Sequence, residues 1–316
     1  MGNVIFSALL PIVITFLLGI FAAWRHDFRA DQAQSLNKMV MNYALPLTLF
    51  AGIMSIAKDS LTEQFTLFII VLLAMMTAFL ATIVIARYVF KRDIMTSALQ
   101  GLAIGGPAVP FVGVSVLGYL FAKNSAIPIA TASITMNVLQ VPVTMMLLSY
   151  GSSQKKGASQ SSPRLPVMSH VIHAFRQPVC WAPVLALVLL LAGIRLPKSL
   201  HLSITLLGQA TGGVALFASG IILFYQKIAL NLPVITSVVF RNIIVPLALW
   251  GILLLTGLPH ELVEESVITM AIPVASIVII LAVEYHIAEK EMASTLFVST
   301  VISFITIAGF MLLTMR

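Results

Sequence analysis

The chain has 316 residues, of which 59% are hydrophobic and only 9% are charged, whereas an average soluble domain has roughly 25% charged residues. This composition excludes a soluble fold, because there are too few polar side chains to cover so large an apolar content, and it indicates an integral membrane protein. The 18 basic residues outnumber the 11 acidic ones, but they are scattered between apolar runs, and this distribution argues against nucleic-acid binding.

Apolar windows bounded by charged residues, glycine and proline predict ten transmembrane helices. They are expected at residues 3–24, 36–57, 65–87, 94–121 and 127–150, and at 178–195, 203–226, 233–256, 263–286 and 292–315. Since one crossing needs about 20 apolar residues, ten crossings use the whole chain and place its function within the bilayer. The stretch between the two sets is rich in Ser, Lys and Pro and predicts a flexible linker. The predicted domains are residues 1–150, the linker 151–177 and residues 178–316.

Similar strings at a nearly constant offset indicate that the two halves are duplicates. PLTLFAGI begins at Pro46 and GVALFASG begins at Gly213, 167 positions later. Pro107 opens PAVP and Pro273 opens PVAS, 166 positions later. A duplicated unit with five spans must enter the membrane in the opposite orientation the second time, so the pattern predicts the inverted repeats found in secondary transporters.

Basic residues between the predicted helices indicate the orientation, because cytoplasmic loops carry an excess of Lys and Arg. Twelve lie on the side of the linker: Arg25, Arg29, Lys38, Arg87, Lys91, Arg92, Lys155, Lys156, Arg164, Arg176, Lys227 and Lys290. Five lie on the other side: Lys58, Lys123, Arg195, Lys198 and Arg316. The linker is therefore expected in the cytoplasm and both termini in the periplasm.

The fourth predicted helix contains Gly105, Gly106, Pro107 and Pro110 near its middle. Proline removes a backbone donor and glycine permits unusual dihedral angles, so this helix is predicted to be discontinuous. The ninth predicted helix has a comparable break at residues 272–276. Freed backbone groups are tolerated in a membrane only against protein, water or a ligand, and two matching breaks therefore predict a substrate site. A simple kink remains the alternative.

Polar side chains deep in the predicted spans are further candidates. Asn42, Asn137 and Gln140 could contact substrate or an ion, or could hydrogen-bond neighbouring helices. Arg241 is the only charged residue well inside a predicted span, and a guanidinium can bind a carboxylate with two parallel hydrogen bonds. The alternatives for Arg241 are an ion pair with Glu284 or a side chain that extends to the cytoplasmic surface.

The sequence carries no pattern typical of an enzyme. It has no nucleophile elbow, no HExxH and no phosphate-binding GxxxxGK[ST] motif, and its six histidines lack metal-ligand spacing. No aspartate or glutamate lies in the middle of a predicted span, which argues against a carboxylate proton relay. We therefore expect no catalytic residue, no metal and no cofactor.

Four strings, LNKMVMNYALPLTLFAGI, GGPAVPFVG, WAPVLA and GVALFASG, resemble the bacterial branch of the auxin efflux carrier family, and the likeness covers essentially the whole chain. The resemblance implies a fold similar to that of bile-acid sodium symporters and sodium/proton antiporters. In that fold ten helices form two inverted five-helix repeats, and broken helices 4 and 9 cross at mid-membrane. The family's substrate site lies at this crossover, with the fifth helix beside it.

The resemblance also bears on the substrate. Plant members have an asparagine where this chain has Ala108, which argues against auxin itself, and bacterial members include malonate and malate carriers. Family members tend to have a basic residue a few positions before the proline of helix 8, as Arg241 precedes Pro246 here. The candidate substrate-binding residues are Asn42, Gly105, Gly106, Pro107, Ala108, Asn137, Gln140, Arg241, Pro273, Val274 and Ser276.

We therefore expect an all-α integral membrane protein that carries a small organic anion, with malonate or a related carboxylate favoured, across a bacterial inner membrane by alternating access. An anion channel and a non-transporting receptor on the same fold are the alternatives. The expected partners are the anion, a coupling ion that is either sodium or a proton, and the lipid bilayer. A homodimer is left open.

Overall fold

The computed structural model describes residues 2–55, 65–121, 125–159, 178–194, 196–226 and 228–314. Within these ranges the chain is helical apart from short connections and one isolated β-bridge. The helices of the first half are α1 (Gly2–Trp24), α2 (Ala30–Met39), α3 (Leu45–Met54), α4 (Phe65–Val84), α5 (Ile94–Gly105), α6 (Val114–Phe121), α7 (Ala126–Ile134) and α8 (Val141–Ser159). Those of the second half are α9 (Pro178–Leu191), α10 (Lys198–Gly208), α11 (Ala210–Gln226), α12 (Leu232–Val239), α13 (Val245–Leu254), α14 (His260–Ala271), α15 (Ile277–Glu284) and α16 (Glu289–Thr314).

Wide π-helical turns interrupt several of the long helices without ending them. The turn Val40–Ala44 joins α2 to α3, Thr135–Gln140 joins α7 to α8, and Phe240–Ile244 joins α12 to α13. There are two further π turns: Ile85–Val89 directly follows α4, and Val109–Gly113 directly precedes α6. Such turns insert an extra residue and are frequent at functional sites. The three joining turns contain every predicted site residue that lies outside the two breaks.

The multi-pass, all-helical membrane architecture expected from the sequence is present. Five helical segments are long and apolar enough to cross a membrane: Phe65–Val89, Ile127–Gln154, Ser199–Tyr225, Leu232–Leu254 and Glu289–Thr314. Shorter apolar helices are Val13–Trp24, Ile94–Gly105 and Pro178–Leu191. Many large apolar side chains on the outer surface are exposed, as expected for a surface that faces lipid.

The helix boundaries differ from the predicted ones at several places, including the start of α10 at Lys198 instead of residue 203. The second helical segment begins at Ala30 instead of residue 36, and α14 begins at His260 instead of residue 263, because amphipathic first turns with charged side chains were read as loop. The fifth predicted helix continues to Ser159 instead of ending at residue 150, so the first part of the predicted linker is helical. Residues 160–177 of that linker lie outside the described residues.

The helices of the two halves pack on one another. α1 packs along α11, and α9 packs along α3. α4 packs on α5 in the first half as α13 packs on α14 in the second. The closest approach between α1 and α11 is at Gly19 and Gly220, where a Cβ atom on Gly220 would overlap the carbonyl oxygen of Phe16. Glycine is required here because the two backbones are in contact.

This contact predicts that Gly220→Ala lowers the melting temperature of the detergent-solubilised protein by several degrees, because a core with no spare volume resists an added methyl group. The matched control is Gly213→Ala on the same helix, where an added Cβ would have no atom within 4 Å. The control should melt at or above the wild-type temperature, since alanine favours the helix. Equal melting of both variants would show that the backbones do not touch at Gly220.

Candidate functional site

Two helices break next to each other in the buried centre of the protein. α5 ends at Gly105 and α14 ends at Ala271, and an antiparallel bridge pairs Pro107 with Val274 in the stretches that follow. The Ala108 amide donates to the carbonyl oxygen of Pro273 at 2.9 Å, and the Ala275 amide donates to that of Gly106 at 3.3 Å. The backbone groups released by each break are thus partly satisfied by the other break, as an apolar environment requires.

Arg241 connects the carbonyl ends of both broken helices. Its side chain is fully buried in the turn Phe240–Ile244. Nη1 donates to the carbonyl oxygen of Ile104 at 2.9 Å, while Nε and Nη2 donate to that of Ile272 at 3.1 and 2.5 Å. The carbonyl end of a helix carries a partial negative charge, so one guanidinium stabilises the ends of α5 and α14 together.

Neither structural alternative considered for Arg241 matches this geometry. Glu284 is exposed at the end of α15, and no ion pair joins it to Arg241 among the described residues. The buried guanidinium does not reach the surface either. The partners of Arg241 are instead backbone carbonyl groups, which only the break of the two helices makes available.

Amides and a serine from the neighbouring helices hold the same region. Gln140 Nε2 donates to the carbonyl oxygens of Gly105 at 3.1 Å and of Met75 at 3.0 Å. On the other side, Ser299 Oγ donates to Asn242 Oδ1 at 2.6 Å and accepts from the Val274 amide at 3.3 Å. Each break is therefore fixed by a side chain from a helix beside it.

Two buried side-chain amide oxygens in the turn before α8 have no hydrogen-bond partner in the described structure. They are Asn137 Oδ1 and Gln140 Oε1, both in the turn Thr135–Gln140. A buried acceptor without a partner destabilises a protein by about 1–3 kcal/mol. Such oxygens can accept a hydrogen bond from a ligand or bind a cation.

Asn42 lies in a different turn from the other predicted polar residues. Asn42 is half-buried in the turn Val40–Ala44, and no hydrogen bond joins it to either break within the described chain. In the same helical segment, the buried Asn37 donates to the carbonyl oxygen of Ile280 in α15 at 3.0 Å. Asn37, and not Asn42, is therefore the amide that links this segment to the second broken helix.

Sequence reasoning missed Asn37, Asn242, Ser299 and Glu265. The carboxylate of Glu265 is buried in the second turn of α14, near the start of the ninth predicted helix at residues 263–286. Ser299 gave no signal, because single serines are common in apolar helices and only the contact with Asn242 distinguishes this one.

A membrane-embedded helical bundle with two broken helices joined at its centre is the architecture of a transporter. A family model described as "Membrane transport protein" matches residues 4–311, and the chain belongs to this family. The resemblance to the auxin efflux carriers fits this assignment. The protein is therefore a transporter and not an enzyme.

Bacterial relatives lead to the same conclusion. The chain is 31% identical over 304 residues to the uncharacterized transporter YfdV of Escherichia coli strain K12, an alignment that covers 95% of this chain and 94% of the relative. The same identity and coverage hold for YfdV of Escherichia coli O157:H7 and of Shigella flexneri. The match extends across both breaks and the turn that carries Arg241.

The contacts of Arg241 predict that Arg241→Met lowers the melting temperature on the order of 10 °C, because two buried carbonyl ends lose their donors. Arg241→Lys should recover only part of the loss, since one ammonium cannot reproduce the planar fork. Arg25→Met, at an exposed position, is the control. Thermal unfolding of the three purified variants measures the effect. A wild-type melting temperature for Arg241→Met would refute the structural role.

Proposed function

We propose that this transporter carries a small organic anion, with malonate or a related carboxylate favoured, across the bacterial inner membrane by alternating access. The observation that carries the proposal is the distribution of charge at the two breaks. Arg241 neutralises the negative ends of α5 and α14. The second half of each broken helix begins a few residues later, and its amide end carries a partial positive charge that favours an anion.

The proposed binding site is formed by the backbone around the bridge. Gly106, Pro107 and Ala108 belong to it on one side, and Pro273, Val274 and Ser276 belong to it on the other. These residues are buried, and none has a charged side chain, so the backbone dipoles provide the attraction. A carboxylate is small enough to approach a backbone whose side chains are mostly small, as at Gly106, Ala108 and Ser276. Gly105 and Arg241 then act by holding the first half-helices in place.

The pattern of helix packing supports ten spans in two inverted repeats. We number the ten predicted transmembrane helices as spans 1 to 10. In two inverted repeats, spans 1 and 2 correspond to spans 6 and 7, so a contact of span 1 with span 7 should have a counterpart between span 6 and span 2. These two pairings are the contacts of α1 with α11 and of α9 with α3. The contact of α4 with α5 corresponds in the same way to that of α13 with α14. The two breaks then cross at mid-membrane.

Alternating access requires that the breaks move relative to the surrounding helices. The hydrogen bond from Asn37 to Ile280 joins the second span to α15, so it must open when the two parts separate on that side. By contrast, Thr48 in α3 contacts Gly208 and Thr211 at 2.6 and 2.8 Å, which keeps spans 2 and 7 together as one unit. A hydrogen bond that can open between units, and contacts that persist within a unit, are what a moving transport domain needs.

The acceptor oxygens of Asn137 and Gln140 are the proposed place for a coupling ion. Amide oxygens are suitable ligands for a hard cation such as sodium, while a protonated substrate would supply a donor to the same atoms. A sodium ion would place a positive charge at these oxygens, and a protonated substrate would place a hydrogen-bond donor there. Substitution of Asn137 by alanine should therefore weaken the dependence of transport on the ion that binds there.

The transport activity is tested in proteoliposomes loaded with malonate. Labelled malonate should enter by counterflow, saturate with concentration and be inhibited by related dicarboxylates. Sodium and pH gradients are varied separately to identify the coupling ion. A large conductance without counterflow would indicate a channel, and binding without movement would indicate a receptor. Counterflow of a different solute class would overturn the proposed substrate.

The backbone at the first break predicts that Gly106→Leu abolishes counterflow. An added Cβ on Gly106 would lie 2.7 Å from the carbonyl oxygen of Leu102 and 3.3 Å from Gln140 Oε1. The control is Gly118→Leu in α6, where an added Cβ would have no atom within 4 Å. Both variants should insert into the membrane, but only the control should transport at the wild-type rate. Undiminished counterflow in Gly106→Leu would remove this break from the site.

The distribution of basic residues predicts that both termini are periplasmic. A reporter that is active only in the periplasm and is fused after Arg316 should be active. The matched fusion within the linker, after Lys156, should be inactive. Cytoplasmic location of the C-terminus in an intact protein would refute the predicted orientation with periplasmic termini.

A further inference from the structure

A groove lies beside α4, and none of the residues that line it belongs to the bridge between the two breaks. Its walls are α4 and the segment α12 to α13, its floor is α5, and its volume is about 420 Å³. The walls stay apart because Ala78, Ala81 and Ala248 line them where larger side chains would fill the space. Most of the lining is apolar, with Arg92 and Gln100 as its most polar groups.

The groove has the length of one membrane leaflet. It follows α4 from Ala78 to Phe90 and the opposite wall from Ala248 to Leu232. The twelve residues between Ala78 and Phe90 rise about 18 Å along a helix. One leaflet, which is half of a hydrocarbon core about 30 Å thick, has nearly the same thickness as this length along α4. An extended acyl chain is therefore the apolar ligand that matches the groove in shape.

The mouth of the groove is basic and lies between aromatic side chains. Arg92 lines it, and the Arg87 guanidinium donates to the Arg92 carbonyl oxygen at 3.0 Å. Tyr88 and Phe90 are 75% and 58% exposed there, as is typical of the membrane interface. Together these residues mark the level of the lipid headgroups.

The acidic groups around the mouth already have partners. Glu291 pairs with Arg92 and also accepts from Gln100 Nε2 at 2.9 Å. Asp93 caps α5 by accepting from the amides of Met95 and Thr96. Among the described residues, neither Arg87 nor Lys91 forms an ion pair. Two exposed cations are thus left to attract a ligand of negative charge.

We propose that this groove binds one anionic phospholipid, with an acyl chain between α4 and α12–α13 and with the phosphate at Arg87, Lys91 and Arg92. Basic residues next to the membrane surface attract anionic lipids. A lipid without net charge would fit the apolar part equally well but would gain nothing from Arg87 and Lys91. This site is independent of the proposed substrate, which would bind at the bridge between the breaks.

The bound lipid would also support the first break. Ile104 belongs to the floor of the groove, and its carbonyl oxygen accepts from Arg241. An acyl chain against Ile104 would pack behind this buried hydrogen bond. Occupation of the groove therefore stabilises the same carbonyl end that Arg241 holds.

The experiment measures lipid binding to the delipidated full-length protein by native mass spectrometry, with phosphatidylglycerol and phosphatidylcholine as probes. Wild-type protein should retain one phosphatidylglycerol in preference to phosphatidylcholine, and phosphatidylglycerol should raise its melting temperature more. Ala81→Trp fills the groove and should remove both effects. Leu80→Trp is the matched control, because Leu80 is exposed on the same helix but does not line the groove.

A second pair of variants tests the charge without changing the groove. Arg87→Gln and Lys91→Gln should each reduce the preference for phosphatidylglycerol about fivefold. Arg25→Gln and Lys38→Gln, on the same predicted side of the membrane, should leave it unchanged. The Arg87→Gln and Lys91→Gln variants test the preference for anionic lipid even if Ala81→Trp does not fold. Equal retention of both lipids by wild-type protein, or unchanged preference in the two charge variants, would overturn the proposal.

Discussion

The hydrogen bonds from Arg241 to the carbonyl groups of Ile104 and Ile272 are the contact on which the centre of this protein depends. A helix that stops inside a membrane leaves carbonyl oxygens without donors, and each such group destabilises the fold by several kcal/mol in hydrocarbon. Arginine suits this position because its planar group offers five donors and stays charged when buried. The two breaks can then lie together without water.

This arrangement also determines what kind of ligand the breaks can attract. A free guanidinium would be the obvious partner for a carboxylate, but the positive charge of Arg241 already faces the negative ends of α5 and α14. The helix ends that Arg241 does not face are the amide ends after the two breaks, such as that of α15 next to Ser276, and these carry a partial positive charge. Under the proposed function, selectivity for a small anion comes from backbone dipoles and from the narrow space beside Gly106 and Ala108. The lipid groove behind Ile104 would act on the same contact from the opposite side.

Much of the architecture could be predicted because membrane helices follow local rules. The apolar runs predicted a multi-pass helical protein, and the glycines and prolines at 105–107 predicted the place where α5 ends. The start of α14 at His260 could not be predicted, because its first turns carry charges that are typical of loops. Arg241 was identified from the sequence as a charge inside a span, but its partners are backbone carbonyl groups and not Glu284.

The sequence by itself determined the membrane class, the two breaks and the one deeply buried cation, since each depends on the chemistry of neighbouring residues. Only the tertiary structure decided what these features contact. It brings Pro107 beside Val274, it directs Arg241 to two backbone carbonyls, and it links Asn37 to the Ile280 carbonyl of α15. The physical reason is that a backbone carbonyl has no signature in the sequence. Its availability as a partner arises only when a helix stops, and its position depends on how distant helices pack.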